Sequence, residues 1–177
     1  MGRILVLLLS TSSLLHLYSI PPKLHDASMG NACDTVVKSL QVAQNKALRN
    51  VYDRDRLENR VEMYLHHVES CLPLRALHFM NTAAYVRNCL RHETHSNIIF
   101  DVNHGRTRQA GQLLTTSAQN NFGKKAITCI GPKILNQVPA AIVNLPHMHA
   151  FKWALRCHLR NQSFLSQCFS SSYLKQF

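Results

Sequence analysis

The chain has 177 residues, 46% of them apolar, and a formal net charge of +11. That length suits one modest domain with a small core, and that composition excludes a low-hydrophobicity disordered chain. Nine Lys/Arg face seven Asp/Glu from Gly30 to Phe100, but nine face the single Asp101 from there to Phe177. A cationic second half attracts phosphate backbones or anionic surfaces and says nothing by itself about sequence recognition.

Met1–Ser19 has one early positive charge and an apolar stretch of signal-peptide length, interrupted by Ser and Thr. It is too short and too polar for a membrane span of about 20 apolar residues. No Ala-x-Ala-like cleavage site precedes Pro21-Pro22, and Val6 stands where a myristoylation signal needs Ser or Thr. A secretory signal, a buried apolar helix and an accidental leader all remain as readings. Ile20 to Met29 reads as a linker.

Asp34 is a helix N-cap candidate, and Val37, Leu40, Gln44, Ala47, Leu48 and Val51 follow at three- and four-residue steps. The spacing predicts an amphipathic helix over 34–52. Asp53 to Glu58 mixes signs and marks a polar connection. A second helix is expected over about 59–69, burying Val61, Leu65 and Val68. Pro73 interrupts, and Leu74 through Arg91 should form a longer helix with Leu77, Met80, Ala84 and Cys89 toward a core.

From Asn97 to Leu114 the chain reads as a loop around His104-Gly105, with short extended pieces at Leu113–Thr116 and Ala126–Ile130. A last helix over about 148–161 has an apolar stripe of Phe151, Ala154, Leu155 and His158, flanked by Lys152, Arg156 and Arg160 at four-residue steps. Residues from Ser163 are Ser-rich and read as a frayed tail.

Six cysteines lie far apart with no Cys-x-x-Cys, which predicts mostly buried free thiols and a reducing compartment. Cys89-x-x-His92-x-x-His95 is the best metal-like cluster, but no fourth ligand is specified and no zinc pattern fits. No motif sets a Cys or Ser nucleophile beside a base. Gly123 and Gly131 read as turn residues, and neither makes a P-loop. No cofactor and no small-molecule substrate is implied.

Polyanion binding fits the pattern better. Arg106, Arg108, Lys124, Lys125 and Lys133 lie in loop-like sequence where side chains reach phosphates, while Lys152, Arg156 and Arg160 form a helical row. Such contacts position a backbone without reading bases. Phe122 and Trp153 have the chemistry to stack on unpaired bases, although an aromatic on an apolar helical stripe reads first as core.

The stretch Phe122-Gly-Lys-Lys-Ala-Ile-Thr-Cys-Ile-Gly-Pro-Lys-Ile-Leu-Asn-Gln-Val-Pro139, with the basic helix after it, resembles the carboxy-terminal end of the reverse transcriptase of jockey-like non-LTR retrotransposons. The resemblance extends to Leu40-Gln-Val-Ala-Gln-Asn-Lys-Ala-Leu-Arg49, to Cys71-Leu-Pro-Leu-Arg-Ala-Leu77 and to Thr107-Arg108, in order over about residues 30 to 160. Met29 and Leu135 stand where the family usually carries Trp. The family's polymerase carboxylates, which hold two Mg²⁺ ions about 4 Å apart, come from an upstream Asp-Asp turn and a further Asp. No Asp-Asp occurs in this chain, and Asp53 and Asp55 alternate with Arg54 and Arg56.

The resemblance therefore implies a non-catalytic fragment from a truncated element copy, mostly α. It would be a small helical bundle whose loop-rich insertion, with room for short strands, precedes a terminal amphipathic helix. Residues 1–29 would be leader and linker, 30–100 a thumb-like region, 101–162 a basic region and 163–177 a tail. The expected partner is an RNA or DNA phosphate backbone inside the cell, in cytoplasm or nucleus. The alternative is a small secreted protein with a cleaved leader, glycosylated Asn161 and paired cysteines. A chain without selected function is the third reading.

Overall fold

A computed structural model describes residues 34–52, 59–67, 71–91, 100–104, 111–119, 123 and 126–169. The described part is mostly helical. Helix α1 is Asp34–Tyr52; α2 is Arg60–Glu62, which runs on as a π-helical turn over Met63–His67; α3 is Leu74–Arg91. Then come α4 (Ile127–Gln137), α5 (Ala140–Val143), α6 (Met148–Leu159) and α7 (Gln162–Phe169). No strand occurs among the described residues; Val102 and Leu113 make an isolated antiparallel bridge.

Helix α3 is the central element. Ala76, Phe79, Met80, Thr82, Ala83, Ala84, Val86, Arg87 and Cys89 are all buried, a spread too wide for a one-faced surface helix. Its neighbours supply Ile134 and Leu135 from α4, and Phe151, Leu155 and Leu159 from α6. Leu77, expected in this core, is half-buried. A second small cluster joins Leu48 of α1, Met63 and Tyr64 of the π turn, and Leu165 of α7. The first cluster runs from Leu72 to Cys168 and draws on residues from both sides of position 100.

The first turn of α3 is capped from another helix. Leu74 N–H donates to Gln41 Oε1 at 2.8 Å, and Gln44 Nε2 donates to the Leu72 carbonyl at 3.0 Å. These bonds satisfy groups that the Pro73 junction takes out of regular structure. They also turn α1 so that Gln44, Asn45 and Leu48 face inward while Leu40, expected inside, is 39% exposed. The π turn shifts a second face. Met63 and Tyr64 carry the burial, and Val61 and Leu65 are only half-buried, because a π turn rotates the side chains beyond the α-helical period. Val68 lies outside the described residues.

Ala126–Ile130, expected to be extended, instead caps and opens α4, which contains Pro132. Proline removes the N–H that would bond the carbonyl four residues back, and here the Thr116 hydroxyl donates to that Thr128 carbonyl at 3.2 Å. Asn136 ties the same passing segment at its other end. Its Oδ1 accepts from Leu113 N–H and its Nδ2 donates to the Leu113 carbonyl, both at 2.9 Å. The expected extended piece at Leu113–Thr116 is therefore an irregular segment strapped along α4. Gly111, with φ of 83°, turns the chain back so that its N–H reaches the Asn103 carbonyl.

The expected frayed tail is helical from Gln162 to Phe169. Asn161 Oδ1 accepts from Ser163 N–H at 3.1 Å as an N-cap, and Leu165 and Cys168 are buried. Phe164 meets Phe79 edge-on at a centroid distance of 5.3 Å.

Of the described cysteines, Cys89, Cys129 and Cys168 are buried free thiols, Cys71 is half-buried and Cys157 exposed. Burial pushes the Cys168 thiol up to about 12, against the opposing pull of the Arg75 guanidinium. An unfolded thiol titrates near 8.5. Because the folded value is raised, this group's contribution to stability is complete below the unfolded value and lost as pH climbs toward the folded one. Urea unfolding should therefore show a loss of about 1 kcal/mol between roughly pH 8 and pH 9.5. Cys168→Ala should flatten that slope while lowering stability throughout, and equal slopes in the two proteins would refute the assignment.

Candidate nucleic-acid interface

The turn that launches α6 is held by arginines of α3. Arg87 is 2% exposed; its Nε donates to the Val143 carbonyl at 3.0 Å and its Nη2 to the Leu145 carbonyl. The guanidinium carbon lies 4.5 Å from the Phe151 ring centroid, a cation–π contact inside the core. Burial, and then the neighbouring Arg91, pull Arg87 below its ordinary value. Arg91 donates to the Leu145 carbonyl at 2.7 Å and to the Pro146 carbonyl. His147 makes no side-chain cap for α6, so this clamp fixes where the helix begins.

With Phe151, Leu155 and Leu159 buried at four-residue steps, the helical period turns two other rows outward. One holds Lys152, exposed, and Arg156 and Arg160, half-buried. Beside it run His149, Trp153 and Cys157, all exposed. Trp153 is 65% exposed, which corrects the expectation that it belongs to the core. His158 is also exposed and Leu159 takes its expected place. The surface thus pairs a flat ring with cations less than one helical turn away. A flat ring beside cations is the combination that stacking on a base and neutralising its phosphates calls for.

Arg160 is partly committed elsewhere. Its Nη2 donates to the Leu65 carbonyl at 3.0 Å and lies 3.5 Å from the Tyr64 carbonyl, so it ties the end of α6 to the π turn. Lys133 sits half-buried on a different helix, α4. Arg106, Arg108, Lys124, Lys125 and Phe122 lie outside the described residues, as do Asp53, Asp55, His92 and His95. Among the described residues no group of three or more His, Cys, Asp and Glu could hold a metal ion, and no helix is long and apolar enough to cross a membrane.

The chain matches no protein-family model, no curated protein and no solved structure at a significant level. The class defined here is a small, mostly helical fold with an outward aromatic and cationic helix face.

Proposed function

We propose that this chain is a counterpart of the thumb and tail of a jockey-like reverse transcriptase, without polymerase activity of its own. In this reading it binds single-stranded RNA or DNA without sequence preference through the outer face of α6. The observation that carries the binding is the 65% exposure of Trp153 beside Lys152 and Arg156. A large aromatic left in water next to cations, on a helix whose other face is fully packed, fits stacking on unpaired bases. Supporting the kinship, two stretches that carry the resemblance bond to each other, Gln41 and Gln44 to the Leu72–Leu74 junction.

Trp153 is the sole tryptophan, so its fluorescence reports the contact directly. Titrating the full chain with oligouridine should quench that emission, and duplex DNA should bind with less quenching. Log affinity should fall linearly with log salt, and Lys152→Ala with Arg156→Ala should each lower the slope by about 0.7. Trp153→Ala, followed by fluorescence anisotropy of a labelled strand, should weaken binding by about 1–3 kcal/mol. Bound strand should also slow alkylation of Cys157, read by peptide mass spectrometry. Absence of binding at low salt, or binding indifferent to these substitutions, would rule the reading out.

A further inference from the structure

A second concave surface shares no residue with the α6 face, so either assignment can fail alone. It is a half-open groove of about 330 Å³ between α1, the start of α2 and the end of α7. Lys38, Arg60 and Arg75 reach it from three different helices, and Val37, Val42 and Phe169 give it apolar walls. No carboxylate is among its described lining residues. Cys168 also lines it, and its thiol, raised to about 12 by burial, stays neutral at ordinary pH and does not offset the cations.

The floor is polar and fixed. Asn45 is 3% exposed, and its Oδ1 accepts from Gln41 Nε2 at 2.9 Å and from the Tyr64 hydroxyl at 3.0 Å. Those bonds occupy the oxygen, and Asn45 Nδ2 has no protein partner among the described residues. That donor belongs to a residue that lines the groove, where a ligand acceptor can reach it. Arg75 is anchored by its Nη1 to the Cys168 carbonyl at 3.1 Å, which holds its guanidinium at the groove.

We propose that this groove binds a phosphomonoester carried on a planar ring, the chemistry of a mononucleotide. The phosphate lies among Lys38, Arg60 and Arg75, the ring lies against Val42 and Phe169, and a ring or sugar acceptor takes the Asn45 amide. Three cations suit a dianion better than a single carboxylate, and the apolar walls give a flat ring a surface that bare phosphate would not use. The same chemistry is offered by a free mononucleotide and by the phosphorylated end of a strand.

Calorimetry on the full chain tests this with uridine 5′-monophosphate, uridine and inorganic phosphate. The monophosphate should bind, with uridine and phosphate each at least about tenfold weaker. Lys38→Gln with Arg60→Gln, both at exposed positions, should weaken it about tenfold or more. Val42→Glu, at a wall position 45% exposed, should do the same by repulsion, and should weaken binding more than the equally sized Val42→Gln, which alters the apolar wall without adding charge. Circular dichroism melts confirm that each variant folds. Equal affinity for all three probes, or affinity indifferent to both the lost cations and the added carboxylate, would overturn the proposal. The source is read in a Trp153→Ala, Arg156→Ala background: competition by 5′-phosphorylated but not hydroxyl-ended oligouridine assigns the groove to strand ends, and competition by neither assigns it to the free nucleotide.

Discussion

Arg87→Ala is expected to lower the unfolding free energy by about 3–5 kcal/mol, a large share of the roughly 5–15 kcal/mol that holds a small domain together. The substitution removes two charge-assisted bonds to the Val143 and Leu145 carbonyls, each worth about 1.5–3 kcal/mol. It also takes the guanidinium from the Phe151 ring and leaves a void where a 2% exposed side chain stood. Relief from burying a charge offsets part of that loss. Arg87→Lys should rescue little, since one ammonium cannot span two carbonyls and a ring as a planar fork does. Arg91→Ala should cost less than about 1 kcal/mol, because Arg91 is exposed and the Leu145 carbonyl keeps its bond from Arg87. Urea denaturation followed by circular dichroism separates these outcomes. An Arg87→Ala protein within about 1 kcal/mol of the parent would show that the clamp is not what holds the α5–α6 turn.

Much of the helical frame was legible because its signals are local. Asp34–Tyr52 and Leu74–Arg91 have the predicted bounds, since three- and four-residue apolar spacing and Pro73 act within one segment. Helix α4 was not legible, because Gly131-Pro132 spells a turn when read alone. The bond that makes proline tolerable there comes from Thr116, twelve residues from the carbonyl it satisfies. The π turn misled differently, by shifting burial from Val61 and Leu65 to Met63 and Tyr64 with no change in composition to announce it. Helix α7 did leave a trace. Asn161 is a good N-cap, and Phe164, Leu165, Cys168 and Phe169 follow at helical steps, but the serines around them dominate the composition.

The site was half legible. Four-residue spacing placed Lys152, Arg156 and Arg160 in one row, and the same arithmetic excludes Trp153 from the stripe of Phe151, Leu155 and Leu159. Treating His158 as part of that stripe concealed this. Arg160 illustrates what a charge count cannot show: a cation near the end of a helix serves a carbonyl in the same molecule as readily as a phosphate. The groove cations Lys38, Arg60 and Arg75 are far apart in sequence and are joined only by packing. Gln41, Gln44, Gly131 and Asn136, which carry much of the resemblance, serve contacts inside the fold. Kinship argued through them therefore concerns architecture, and the proposed nucleic-acid binding is argued separately, from the outer face of α6.

Gly131→Ala should be destabilising by about 2 kcal/mol, against the gain of about 1 kcal/mol that alanine brings to an unhindered helix position. A Cβ at this position would sit 2.6 Å from Val86 Cγ2, with the Phe100 ring edge at 3.5 Å. Val86 is fully buried and too short to swing aside, so α3 and α4 would have to separate. Val86→Ala alone should also destabilise, through the cavity it leaves. The double variant takes two methyls from α3 and adds one to α4 across the same contact, and its loss should fall short of the sum of the two single losses by about 0.5–3 kcal/mol. The coupling should reach further than the contact. Val86 adjoins Arg87, so helices forced apart at Gly131 pull the guanidinium away from the Val143 and Leu145 carbonyls. Gly131→Ala should then weaken strand binding by the α6 face, and Val86→Ala in the same chain should restore it. Strict additivity of the stability losses would show that α4 yields locally and that the close approach at Gly131 does not set the position of α6.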